Sequence, residues 1–137
     1  MPTPAPGPPN SRRSAPDNTV LVVEDDADIR DVLAQLLAPE GYLVATAEHG
    51  EEALAWLRTH PAPCAILLDL MMPVMDGLTF LRAMRAEPAL SSIPVVVLSA
   101  AGPDLLARTA HDVIACLPKP VEAEQVLTQL SRARNGG

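Results

Sequence analysis

Five short apolar runs punctuate the chain: Val20 to Val23, Leu43 to Ala47, Ala65 to Leu68, Val95 to Leu98 and Val113 to Leu117. Each is unbroken and too short for a helix, which is how a strand buried on both faces reads. The stretches between them change to a helical period. In Asp28 to Leu37, Ile29, Val32, Leu33, Leu36 and Leu37 form one stripe; Asp26 or Asp28 can cap it, and Pro39 with Gly41 closes it. A second helix is expected from about Gly50 to Thr59, with Ala53, Leu54, Trp56 and Leu57 inward. The third, Gly77 to Ala86, carries Leu78, Leu81 and Met84 and is stopped by Pro88. A short fourth, Pro103 to Ala110, has proline suited to its first turn. The fifth, about Glu122 to Ala133, turns Val126, Leu127 and Leu130 to the core.

Strands alternating with helices imply right-handed crossovers, hence a parallel sheet covered on both faces. The expected fold is an α/β, doubly wound five-stranded parallel sheet. In such sheets ligands gather at the carboxyl ends of the strands. Asp69 ends the run Ala65 to Leu68, Glu24-Asp25-Asp26 follows Val20 to Val23, and Lys119 follows the last run between Pro118 and Pro120. If those strands are neighbours, several carboxylates and one ammonium meet at one edge.

Carboxylates crowded into a dry pocket need a cation to stay ionised, so Glu24, Asp25 and Asp69 imply a divalent metal. An all-oxygen set suits Mg²⁺ or Mn²⁺. Taken alone, Glu24-Asp25-Asp26 reads equally well as a solvated turn that starts a helix. Lys119 can pair with Asp69 and with an incoming phosphoryl oxygen. Ser99, ending the fourth run, offers a hydroxyl at the same edge.

Composition narrows the remaining classes. The 137 residues, 48% hydrophobic, suffice for one domain with an ordinary core. Six of the fifteen prolines lie in the first 17 residues, so 1–17 is expected to be an extended, disordered Pro-rich tail, with a ligand for aromatic grooves as the alternative. The folded domain is expected over 18–134, with 135–137 a short tail. A net charge of −7 and no basic helix face argue against direct nucleic-acid binding. No apolar stretch approaches the ~20 residues of a membrane span, and a cytoplasmic location is expected. Cys64 and Cys116 lack metal-ligand spacing and read as two buried, reduced thiols.

From about Thr19 to Ala133 the chain resembles the receiver domain of two-component response regulators, of the single-domain type. The residues that carry the resemblance are Glu24 and Asp25 within Val22-Val23-Glu24-Asp25-Asp26, the segment Asp69-Leu70-Met71-Met72-Pro73-Val74-Met75-Asp76-Gly77, Ser99-Ala100, and Lys119-Pro120. The resemblance implies a flavodoxin-like (βα)5 fold with strand order 2-1-3-4-5. It implies that Asp69 is the phosphoacceptor, receiving its phosphoryl group from a sensor histidine kinase, a histidine phosphotransfer protein or a small donor such as acetyl phosphate. Asp25, Asp69 and the main-chain carbonyl of Met71 would hold Mg²⁺, with Glu24 helping through water; Lys119 and Ser99 would each hold a phosphoryl oxygen. Output would pass to a downstream protein target through the fourth and fifth helices and the last strand. A stand-alone monomer is expected, with a dimer through that face as the alternative.

Two departures from the receiver pattern stand out. Cys116 occupies the place where receivers carry Tyr or Phe, so the usual ring rotation is in doubt, and Val121 replaces the aromatic residue common after Lys-Pro. Met71 and Ala101 stand at positions that the resemblance links to the lifetime of the phosphorylated state. Neither can hold an attacking water through its side chain, so slow to moderate self-dephosphorylation is expected. Met71 also stands two residues after Asp69, where aspartyl-phosphate phosphatases need a second Asp, so turnover of external substrates is not expected. A non-phosphorylated scaffold is the other alternative. A nucleotide site is weaker, for no Gly-rich loop follows the first run.

Overall fold

The computed structural model describes residues 18–69, 77–99, 113–119 and 122–136. Five parallel strands, β1 (Thr19–Val23), β2 (Leu43–Ala47), β3 (Ala65–Asp69), β4 (Val95–Ser99) and β5 (Ala115–Pro118), form one sheet in the order β2-β1-β3-β4-β5. This is the expected flavodoxin-like order, 2-1-3-4-5. The described helices are α1 (Ala27–Leu37), α2 (Gly50–Thr59), α3 (Gly77–Ala86) and α4 (Ala123–Gly136). The Pro-rich segment, the expected helix Pro103 to Ala110, His111 and the positions Met71, Ala101 and Val121 lie outside the described residues.

Alternation along each strand sorts the core into two layers. Leu21, Val23, Ile66, Leu68, Val95 and Val97 face Ala53, Leu54 and Leu57 of α2 and Phe80, Leu81 and Met84 of α3. Val20, Val22, Ala65, Leu67, Val96 and Leu98 face Leu33 and Leu37 of α1 and Val126 and Leu130 of α4. The central β3 is buried throughout, as an unbroken apolar run demands, whereas the edge strand β2 leaves Leu43 and Thr46 exposed.

Local chemistry sets the helix ends. The Asp26 carboxylate accepts from the Asp28 and Ile29 amides, at 2.8 and 3.3 Å, and starts α1. A 3-10 turn, Ala38–Glu40, carries Pro39, and Gly41 then takes φ 93°, the left-handed conformation that releases the chain toward β2. Arg58 of α2 and Glu87 just beyond α3 form an exposed ion pair that ties the two helix ends together.

Three expectations need adjusting. Val32 is 60% exposed, because the five-residue stripe drawn for α1 is wider than the arc that the sheet covers. The last strand starts at Ala115 rather than Val113, since its ladder with β4 begins at the Val96 and Ala115 pair and Ile114 faces outward. Cys64 and Cys116 are half-buried rather than buried, and they pack on opposite layers, so the two thiols do not meet.

Candidate phosphoacceptor site

The sheet order builds the site. Val23 of β1 pairs with Leu68 of β3, so the next residue on each strand, Glu24 and Asp69, lie side by side at the carboxyl edge. The Glu24 amide donates to the Ala47 carbonyl at 3.0 Å, which extends the ladder toward β2 by one residue and holds Glu24 in line. Asp25 follows at an exposed position. Carboxylate oxygens of Glu24, Asp25 and Asp69 all lie within 4.8 Å of one another.

Lys119 arrives from β5, two strands away from β3. Neighbouring strands are about 4.8 Å apart, so the lysine must stretch its side chain back across β4 to reach the carboxylates. It does so: its Nζ lies 2.9 Å from Glu24 Oε1 and 3.3 Å from Asp69 Oδ2. Only about a fifth of its side chain remains accessible. One ammonium therefore bridges two buried carboxylates, and the third carboxylate stands open to solvent.

The balance of charge follows from burial. Glu24 is 2% exposed, and burial pushes its carboxyl up to about 7; the hydrogen bond from Lys119 pulls it down and the Asp69 charge pushes it up. For Lys119, burial works against the ammonium, yet the hydrogen bond to Glu24 and the charges of Asp69 and Glu24 outweigh it and its pKa is raised. Among the described residues, Lys119 pairs with two of the three carboxylates, and even with the Arg30 guanidinium at the Glu24 carbonyl the cluster stays short of positive charge. Hard oxygen donors alone, one of them open to water, fit a divalent cation such as Mg²⁺ or Mn²⁺ that keeps part of its hydration shell.

Of the residues singled out from the sequence, Glu24, Asp25, Asp69 and Lys119 come together. Ser99 ends β4 at the same edge, in register with Pro118 of β5, and only its backbone is described. Met71 lies outside the described residues.

Two further side-chain roles carry little signal in the sequence. Arg30 of α1 donates from Nη1 to the main-chain carbonyl of Glu24 at 2.7 Å. A single cation amid Asp25, Asp26, Asp28 and Asp31 was the available sign. His49 is the N-cap of α2: its Nδ1 accepts from the Glu52 amide at 3.3 Å, while the Glu52 carboxylate accepts from the Glu48 amide. The pair His49 and Glu52 has the spacing of a capping box, but histidine is not a residue that pattern leads one to expect.

Comparison with known proteins agrees with this geometry. Residues 20–131 match the family model of the response regulator receiver domain. The chain is 35% identical over 116 residues to the transcriptional regulatory protein CpxR homolog of Haemophilus influenzae, covering 81% of this chain and 48% of that protein. It is 47% identical over 81 residues to the transcriptional regulatory protein PrrA of Mycobacterium tuberculosis, covering 59% and 34%. The chain thus spans about half or less of the length of these curated relatives. Among solved structures, it resembles the chemotaxis protein CheY4 of Vibrio cholerae with a TM-score of 0.77 and 32% identity, over 84% of this chain and 97% of that one. A signal receiver domain of a histidine kinase from Syntrophus aciditrophicus gives a TM-score of 0.79 at 27% identity, covering 87% and 91%.

Proposed function

The chain belongs to the response regulator receiver family, and from that premise we propose that Asp69 is its phosphoacceptor, with Mg²⁺ held by Asp25, Asp69 and the Met71 carbonyl. The observation that carries this reading is the convergence of Glu24, Asp69 and the Lys119 ammonium at one sheet edge. A carboxylate oxygen of Asp69 attacks the phosphorus of a phosphohistidine on a sensor kinase or histidine phosphotransfer protein. The bond from phosphorus to the histidine nitrogen breaks, and that nitrogen leaves with its electron pair and takes up a proton. Phosphoryl transfer needs alignment and charge neutralisation more than covalent help. A divalent cation held there would supply part of that neutralisation, with Glu24 helping to hold it through water.

Lys119 holds a phosphoryl oxygen after releasing Asp69, and Ser99 donates to another. An acyl phosphate is more negative than the carboxylate it replaces, so the Ser99 hydroxyl is drawn toward it, and the output face changes with it. The protein acts as a signalling phosphoacceptor that promotes its own phosphorylation and dephosphorylation without turnover of external substrates. It works as a monomer in the cytoplasm and contacts proteins rather than nucleic acid or membrane. No described helix is long and apolar enough to cross a membrane.

The test is intact mass after incubation with acetyl phosphate and Mg²⁺, for the parent and Asp69→Asn. One added phosphoryl group, about 80 Da from its composition, that requires both Asp69 and the metal is expected. A parent that stays unmodified by acetyl phosphate and by phosphohistidine donors would instead favour a phosphorylation-independent scaffold.

A further inference from the structure

A cation in the first turns of a helix opposes the helix dipole, whose positive end lies there. Arg30 nonetheless occupies that place in α1, and its guanidinium turns back to the Glu24 carbonyl at 2.7 Å. That carbonyl belongs to the peptide joining Glu24 to Asp25. Rotation of this peptide would swing both carboxylates relative to Asp69. The segment before it is held by the Glu24 amide on Ala47, at 3.0 Å. The segment after it is held by the Asp26 amide on the Glu24 carboxylate, at 3.3 Å, and by the Asp26 cap on α1. Arg30 restrains the peptide in between.

We infer that Arg30 is a positioning residue for the divalent-cation site, clamping the Glu24–Asp25 peptide so that both carboxylates are set before the metal arrives. This role rests on the proposed metal binding at Glu24, Asp25 and Asp69. Its sign separates it from a simple charge effect. Removing a positive charge near a cation site should tighten metal binding, whereas removing a clamp should weaken it. Groups that orient metal ligands typically change affinity by about tenfold or more.

The experiment measures Mg²⁺ and Mn²⁺ affinity by calorimetry for the parent, Arg30→Gln, Arg30→Met and Arg30→Lys, and hydrogen exchange of the Asp25 and Asp26 amides in the metal-free protein. The expected result is about tenfold weaker binding in Arg30→Gln and Arg30→Met, with faster exchange at these two amides, an unchanged circular dichroism spectrum and partial recovery in Arg30→Lys. Affinities within twofold of the parent, or tighter, overturn the role while leaving the metal site standing. A parent that binds neither metal overturns the metal reading and the Arg30 role together. Exchange that quickens across the whole sheet, with affinity falling only as far as stability does, overturns the role in favour of a general structural one.

Discussion

The Lys119 ammonium lies closer to Glu24, at 2.9 Å, than to Asp69, at 3.3 Å. The proposed nucleophile is thus not the lysine's nearest partner in the resting protein, and the more deeply buried carboxylate takes the shorter contact. Glu24 is the closer counter-ion of the resting ammonium, and the role proposed for Lys119 requires it to loosen this contact as it takes up a phosphoryl oxygen.

Glu24 should make the metal-free fold less stable as pH rises. Its folded-state pKa of about 7 exceeds the ordinary 4.5, so the folded state binds more protons between those values and stability falls across that window, then levels off. The effect is on the order of 3 kcal/mol. Glu24→Gln should remove this slope, giving a variant more stable than the parent at pH 8 in chelator. Urea titrations from pH 5 to 8 that show parallel curves for the two proteins would refute the assignment.

Metal binding should displace the same proton. At pH 6 calorimetry in two buffers of different ionisation enthalpy should count about one proton released per Mg²⁺, and at pH 8 close to none. Affinity should rise with pH through 7 and then flatten. In Glu24→Gln the proton release should vanish together with that pH dependence.

Replacing Lys119 with Met should separate metal binding from phosphoryl acceptance. Without the ammonium the carboxylates lose their competing cation, and Mg²⁺ should bind roughly fivefold tighter, a change of about 1 kcal/mol. Phosphorylation by acetyl phosphate should slow by about a hundredfold, the cost typical of losing one charge-stabilising donor. Unchanged phosphorylation at saturating Mg²⁺ would rule out a direct role for Lys119.

At Gly41 an added Cβ meets no atom within 4 Å, so for alanine only the backbone resists substitution. With φ at 93°, Gly41→Ala should cost about 1 kcal/mol and Gly41→Asn clearly less, because asparagine tolerates the left-handed region. Chemical denaturation that ranks alanine at or above asparagine would show that the turn relaxes instead.

His49 caps α2 through a long 3.3 Å contact from a ring nitrogen. A serine or aspartate makes the same bond with better geometry, so His49→Ser should stabilise the protein by about 0.5–1 kcal/mol. A loss of thermal stability on this change would mean that the ring contributes packing that outweighs the cap.

Much of this protein was legible in the order of its residues. Two layers and a parallel sheet follow from unbroken apolar runs alternating with helical stripes, because burial on both faces leaves no polar position along the run Ala65 to Leu68 of a central strand until Asp69 at its carboxyl end. Asp69 and the acidic pair could be placed at one edge for the same reason: every strand of a parallel sheet ends on the same side. The Asp26 cap and the Gly41 stop are local, each set by hydrogen bonds or backbone freedom within a few residues.

What only the tertiary structure decided depends on distances between elements far apart in the chain. Lys119 and Glu24 are 95 positions apart, and their contact rests on the summed register of four strands. The exposure of Val32 and the outward turn of Ile114 depend likewise on where a helix or an edge strand sits against its neighbours. Hydrophobic pattern determines which face is buried to within a turn of helix. A hydrogen bond requires agreement within a few tenths of an ångström, and only the packed sheet supplies that.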